Sequence, residues 1–109
     1  MNLKRPGIVK DRGTRRDVFC DFDQEHPPRL LTIWRTLAQL AIRPQVIRYD
    51  RTARGWHVLI KFRKGFTSGE LVALQMALGS DRKRERYNLR RVICGARPRD
   101  WNLLFDTKI

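Results

Sequence analysis

Hydrophobic and polar positions along the chain alternate in some stretches and recur at helical spacing in others. In "DVFCDFD", Val18, Cys20 and Phe22 share one parity and Phe19, Asp21 and Asp23 the other, which predicts a strand over 18–23. "EHPP" ends it. From Arg29 to Arg43, Leu30, Ile33, Trp34, Leu37, Leu40 and Ala41 fall on one helical stripe, and Pro44 stops the helix. Gln45 to Tyr49 and Trp56 to Phe62 read as a hairpin around the polar turn "DRTARG". Its second strand carries Trp56, Val58, Ile60 and Phe62 on one face and His57, Leu59 and Lys61 on the other. Thr67 and Glu70 form a capping box that opens a helix through Leu78. After Gly79, Ser80 or Asp81 caps a further helix to about Val92, with Tyr87, Leu89 and Val92 as its inner anchors. Trp101 to Asp106 predicts a last strand with Trp101, Leu103 and Phe105 on one face and Asn102, Leu104 and Asp106 on the other. Trp34 and Trp101 are expected in the core.

Strand, helix, strand, strand, helix, strand is the order of the split βαβ pattern, so the expected class is α+β, ferredoxin-like or RRM-like βαββαβ. The expected sheet has four antiparallel strands in the spatial order fourth, first, third, second, with the helices on one face. Residues 17–109 form this unit, and 1–16 form a basic arm that is either irregular or contains a short "GIVK" strand. The apolar parity of each strand belongs under the helices. The other parity then brings Asp21, Asp23, His57, Lys61 and Asp106 to the open face. Neighbouring strands lie about 4.8 Å apart and alternate residues roughly 6.6 Å apart, so three carboxylates and an imidazole meet at one end of that face. Crowded carboxylates repel one another or take up protons unless a cation separates them. Hard oxygen donors suit Mg²⁺ or Mn²⁺, and two such ions about 3.5–4 Å apart serve phosphoryl transfer. A solvated strand end or a local salt bridge is the plainer reading of an isolated Asp-x-Asp.

Charge narrows the choice of partner. The 109 residues hold 24 Lys+Arg against 11 Asp+Glu, a net +13. That balance favours a polyanion, and nucleic acid before a membrane, since no basic amphipathic helix with large exposed apolar residues stands out. No apolar run is long enough to span a membrane or to serve as a secretory signal, so a cytoplasmic or intraviral setting is expected. The hydrophobic fraction of 41% suits a folded domain. Cys20 and Cys94 are expected as reduced thiols, and His26 and His57 add no paired-ligand spacing for a structural zinc. "SDRKRERYNLRR" sets Arg82, Lys83, Arg84, Arg86, Arg90 and Arg91 against Asp81 and Glu85, a candidate clamp on a phosphate backbone or else a solvated helix face.

The motifs together resemble the archaeo-eukaryotic primase superfamily, which includes primase–polymerases. "VFCDFD" is similar to its hydrophobic strand ending in Asp-x-Asp. "TARGWHVLI" is similar to its small residue, any residue, His motif, with Gly55, Trp56 and His57. "NLLFD" is similar to its hydrophobic–Asp motif, with Phe105 and Asp106. The resemblance covers about residues 17–107. It implies that Asp21, Asp23 and Asp106 bind two divalent metals and carry catalysis, and that Arg54 and His57, with Lys61 nearby, meet the triphosphate of an incoming nucleoside triphosphate. It also implies 3′-hydroxyl attack on the α-phosphate along a DNA or RNA template, in replication of a virus, mobile element or prokaryotic chromosome. Family enzymes carry a further module and often a zinc element, which makes a protein partner or a homo-oligomer an expectation here.

Other readings stay open. "RGWHVLIK" partly resembles the third-strand motif of RRM domains, so a non-catalytic single-stranded nucleic-acid binder, or an inactive primase relative, is the alternative. That reading turns Trp56 to the open face, where the primase reading turns His57, and leaves Phe19 free to stack a base. A metal-dependent nuclease on the same sheet is a third class.

Overall fold

The computed structural model describes residues 8–106. Lys4 and Arg5 of the arm, and the carboxylate of Asp106, lie outside what is described. The chain runs β1 (Ile8–Arg12), β2 (Asp17–Phe22), α1 (Leu30–Gln39), β3 (Val46–Arg51), β4 (Trp56–Lys61), α2 (Ser68–Ala77), α3 (Arg82–Ile93), the short turn α4 (Pro98–Trp101) and β5 (Leu103–Asp106). The fold is α+β with antiparallel sheets.

A three-stranded sheet, β2-β4-β3, reproduces the expected neighbours of the first, third and second predicted strands. The four-stranded sheet does not form. β5 pairs with β1 instead, in a separate two-stranded ribbon that matches Ile8 with Asp106 and Arg12 with Leu103.

Alternation on β2 and β4 is as the sequence predicts. Val18, Cys20, Phe22, Val58 and Ile60 pack with Ile33 and Leu37 of α1 and with Leu71, Val72 and Leu74 of α2. Trp56 is half-buried against this same core, and its indole Nε1 donates to the Glu25 carbonyl at 3.1 Å. The register that turned Trp56 to the open face is therefore overturned.

The opposite face is not bare. Phe19, Leu59 and Leu104 form a second buried cluster, so β5 lies against this side of the sheet. Ion pairs from β1 reach the same side, Lys10 to Asp50 at 3.4 Å and Arg48 to Asp11 at 3.7 Å. Phe19, at 5% exposure, is consequently closed to a stacking base. Leu104 rather than Phe105 faces inward, because Trp101 belongs to a helical turn and its burial does not fix the parity of β5.

The helices follow their caps. Thr67 and Glu70 make both bonds of the capping box, and the Asp81 carboxylate accepts from Arg84 N. α1 stops at Gln39, short of the expected Arg43, where Ala41 takes φ 56°. Only Ile33 and Leu37 of its stripe are buried, and Trp34 is 44% exposed rather than in the core. No helix among the described residues is long and apolar enough to cross a membrane.

Candidate functional site

Asp21 and His57 face each other across β2 and β4 as direct partners in the antiparallel register. His57 Nε2 lies 3.6 Å from Asp21 Oδ1. His57 is buried, whereas the Asp21 side chain keeps 37% of its surface. Burial raises the Asp21 carboxyl above its ordinary value of 3.8, against the pull of His57 and Arg84. The same burial lowers the His57 imidazole from 6.5, with Asp21 opposing. Both shifts favour the uncharged forms.

Gly55 makes this register possible. A Cβ on it would stand 1.9 Å from the Phe22 carbonyl oxygen, so only glycine admits so close an approach of the β3–β4 turn to the end of β2.

The outer edge of β2 explains why no further strand joins it among the described residues. Asp17, Phe19 and Asp21 point their main-chain groups away from β4, and every one finds a partner. Asp17 N donates to Thr14 O at 3.1 Å and Asn102 Nδ2 to Asp17 O at 3.0 Å. Phe19 N donates to Gln75 Oε1 at 3.0 Å, and Arg84 Nη1 to Phe19 O at 2.7 Å. Asp21 N donates to Ser80 Oγ at 2.9 Å, and Asp81 N to Asp21 O at 2.7 Å. Gln75 of α2, Arg84 of α3, the Ser80–Asp81 link between them, Thr14 and Asn102 thus replace a neighbouring strand.

Behind that edge sits a buried polar network. Glu85, 1% exposed, accepts from Gln75 Nε2 and Ser80 Oγ at 2.7 Å each and from Asn88 Nδ2 at 3.0 Å, and pairs with Arg84. Arg84 Nη2 also donates to Asn102 Oδ1 and Leu103 O, both at 3.1 Å. Arg84 is therefore an internal brace between β2 and β5 and drops out of the phosphate clamp that the sequence leads one to expect. Sequence reasoning missed the network, yet Gln75 carried a signal. It lies on the buried stripe of α2 with Leu71, Val72 and Leu74, where a polar residue requires a partner.

The other cations of α3 are exposed. Arg82, Lys83, Arg86, Arg90 and Arg91 take part in no ion pair among the described residues. Tyr87, expected as an inner anchor, stands 69% exposed among them, and Leu89 is 39% exposed.

Two cavities flank α3 and share Asp21. The first, about 440 Å³, is lined by Asp21, His57, Tyr87, Arg91, Leu104 and Phe105, among others. The second, about 560 Å³, includes Asp21, Asp23, Asp81, Arg82 and Arg86. Asp23 is exposed just beyond β2.

The expected nucleotide-binding set is split. Arg54 is exposed in the β3–β4 turn, and Lys61 lies at the far end of β4 from His57, four residues and roughly 13 Å along the strand. Lys61 instead lines a cavity with Asp17 and Arg48. As for a metal, Asp21, Asp23 and Asp81 bring carboxylates to one cavity, with Asp81 engaged at the α3 cap. Among the described residues no group of three or more His, Cys, Asp or Glu side chains is arranged to hold an ion. The donor set therefore fits a metal only in part.

Comparison with protein-family models, curated proteins and solved structures found no match.

Proposed function

We propose that this domain binds nucleic acid, DNA or RNA, across the outward face of α3. One observation carries the reading. Arg82, Lys83, Arg86, Arg90 and Arg91 all reach solvent from a single helix whose acids are occupied, Glu85 in the interior and Asp81 at the cap. Five cations with no ion pair among the described residues repel each other along one helix, and a phosphate backbone relieves that repulsion while releasing counterions. Arginine predominates over lysine, which suits two-pronged phosphate contacts. The test is fluorescence anisotropy with labelled oligonucleotides. Replacing Arg86, Arg90 and Arg91 by Gln is expected to weaken binding roughly tenfold or more, with the fold unchanged by circular dichroism. Unaltered affinity would overturn the reading.

A second reading, nucleotidyl transfer of the primase–polymerase kind, is supported by the pairing of Asp21 with His57 on the sheet face away from α1 and α2. In this reading Asp21, Asp23 and Asp106 would hold Mg²⁺ or Mn²⁺, and the ion would supply positive charge beside a phosphoryl group. His57, kept uncharged by burial, offers a hydrogen bond without adding charge. Primer extension or de novo synthesis with Mn²⁺ tests it, comparing the wild type with Asp21→Asn. Product from the wild type alone supports transfer. Absence of product despite binding leaves a binder, and a shortened substrate identifies a nuclease.

A further inference from the structure

The cavity between α3 and β5 has a charge arrangement suited to a base rather than to a phosphate. Its rim and floor differ in kind. Tyr87, 69% exposed, and Phe105, 39% exposed, stand at the rim with the exposed Arg91. At the floor are Leu104 and Trp101, at 1% and 2% exposure, together with His57, and the half-buried Asp21 carboxylate lines the cavity beside them. A phosphate entering the cavity would meet that carboxylate, and of its two guanidinium groups Arg84 is already bonded to Phe19 O, Asn102, Leu103 O and Glu85, which leaves the exposed Arg91. A base entering it would meet apolar walls, aromatic faces and an acceptor for its N–H groups, while its phosphate stayed outside beside Arg91. The volume, about 440 Å³, lies within the roughly 300–1,000 Å³ typical of small-ligand sites.

We infer that this cavity receives an unpaired base, with Tyr87 and Phe105 as its stacking surfaces, so that the domain prefers single-stranded nucleic acid to duplex. The inference rests on the nucleic-acid reading above and narrows it. A base held in a duplex is stacked on its neighbours and paired, and its faces are closed to both rings. The α3 cations alone make no such distinction, since both forms carry phosphates. Tyr87 sits one helical turn from Arg91 and Arg90, so base and backbone contacts fall at neighbouring positions along one strand.

Anisotropy titrations with DNA and RNA single strands, the matching duplexes, and a strand of abasic sugar-phosphate units of equal length test this. The expected result is tighter binding of the single strands than of duplex or abasic strand at the same salt. Tyr87→Ala should lower single-strand affinity about tenfold and leave duplex affinity unchanged, and Tyr87→Trp should retain it. Phe105→Ala should act in the same direction, with folding checked by circular dichroism. Equal affinity for single strand, duplex and abasic strand, together with no effect of Tyr87→Ala, would overturn the inference while leaving salt-sensitive phosphate binding in place. Binding of none of these probes would overturn the nucleic-acid reading and this inference with it.

Discussion

Arg84 on α3 donates from Nη1 to the carbonyl oxygen of Phe19 on β2 at 2.7 Å, and from Nη2 to that of Leu103 on β5 at 3.1 Å. One side chain thereby bridges two strands that do not pair with each other. It also balances the charge of buried Glu85. Arg84→Met removes these bonds and leaves a carboxylate without its cation in the interior. The expected cost is about 3–5 kcal/mol, read from urea denaturation. Arg86→Met, on the exposed side of the same helix, should stay within about 0.5 kcal/mol. Equal effects would show that Arg84 is a surface residue.

Glycine at 55 is required by contact with main chain. Gly55→Ala places a methyl group against the Phe22 carbonyl oxygen, which has no rotamer through which to yield. The hairpin must shift, and a loss of several kcal/mol, visible as a large fall in Tm, is expected. Gly69→Ala is the contrast. Nothing lies within 4 Å of its Cβ in the first turn of α2, and a gain of about 0.4–1 kcal/mol is expected.

His57 should titrate below 6.5, because burial disfavours the imidazolium more than Asp21 favours it. The folded state then binds fewer protons than the unfolded chain between the lowered value and 6.5. Stability from His57 is therefore present above 6.5 and is lost as pH falls through that window. Asp21 acts with the opposite sign. Its raised value means stability declines as pH rises from 3.8 through that value. NMR titration of the His57 ring checks the first statement, and Asp21→Asn should lower the His57 value further. A His57 value above 6.5 would contradict this account of the pair.

Two tryptophans separate core from surface. Trp101, 2% exposed, donates from Nε1 to Ser68 Oγ at 3.2 Å, and Trp101→Ala should cost about 3–5 kcal/mol. Trp34, 44% exposed on α1, should cost at most about 1 kcal/mol on replacement by Ala. Chemical denaturation of the two variants decides it.

Alternation along "VFCDFD" and "GWHVLIK" narrowed the faces of Asp21 and His57 to two registers, because a period of two admits only two answers, and the packing of Trp56 against the core decides for the one that puts them together. The cap at Thr67 was equally legible, since it depends on residues a few positions apart, whereas the sequence offered Ser80 or Asp81 for α3 and Asp81 is the cap. β5 was not. Trp101 looked like the first inward residue of a strand, but Pro98 starts a helical turn there, and the true inward residue is Leu104. Nor was the closed edge of β2 legible. Its partners come from Gln75, Ser80, Asp81, Arg84 and Asn102, and nothing local distinguishes Arg84 from the arginines around it. Only the packing of α2 and α3 against β2 gives those residues their roles. Trp34 misled for a related reason, since a helical stripe shows which residues align and not how much of the stripe its neighbours cover.

The salt dependence of single-strand binding tests the central claim most directly. With phosphates seated on the exposed face of α3, log K should fall linearly with log salt, and each of Arg86→Gln, Arg90→Gln and Arg91→Gln should make that slope shallower by about 0.7. Slopes that match the wild type in all three variants would contradict it.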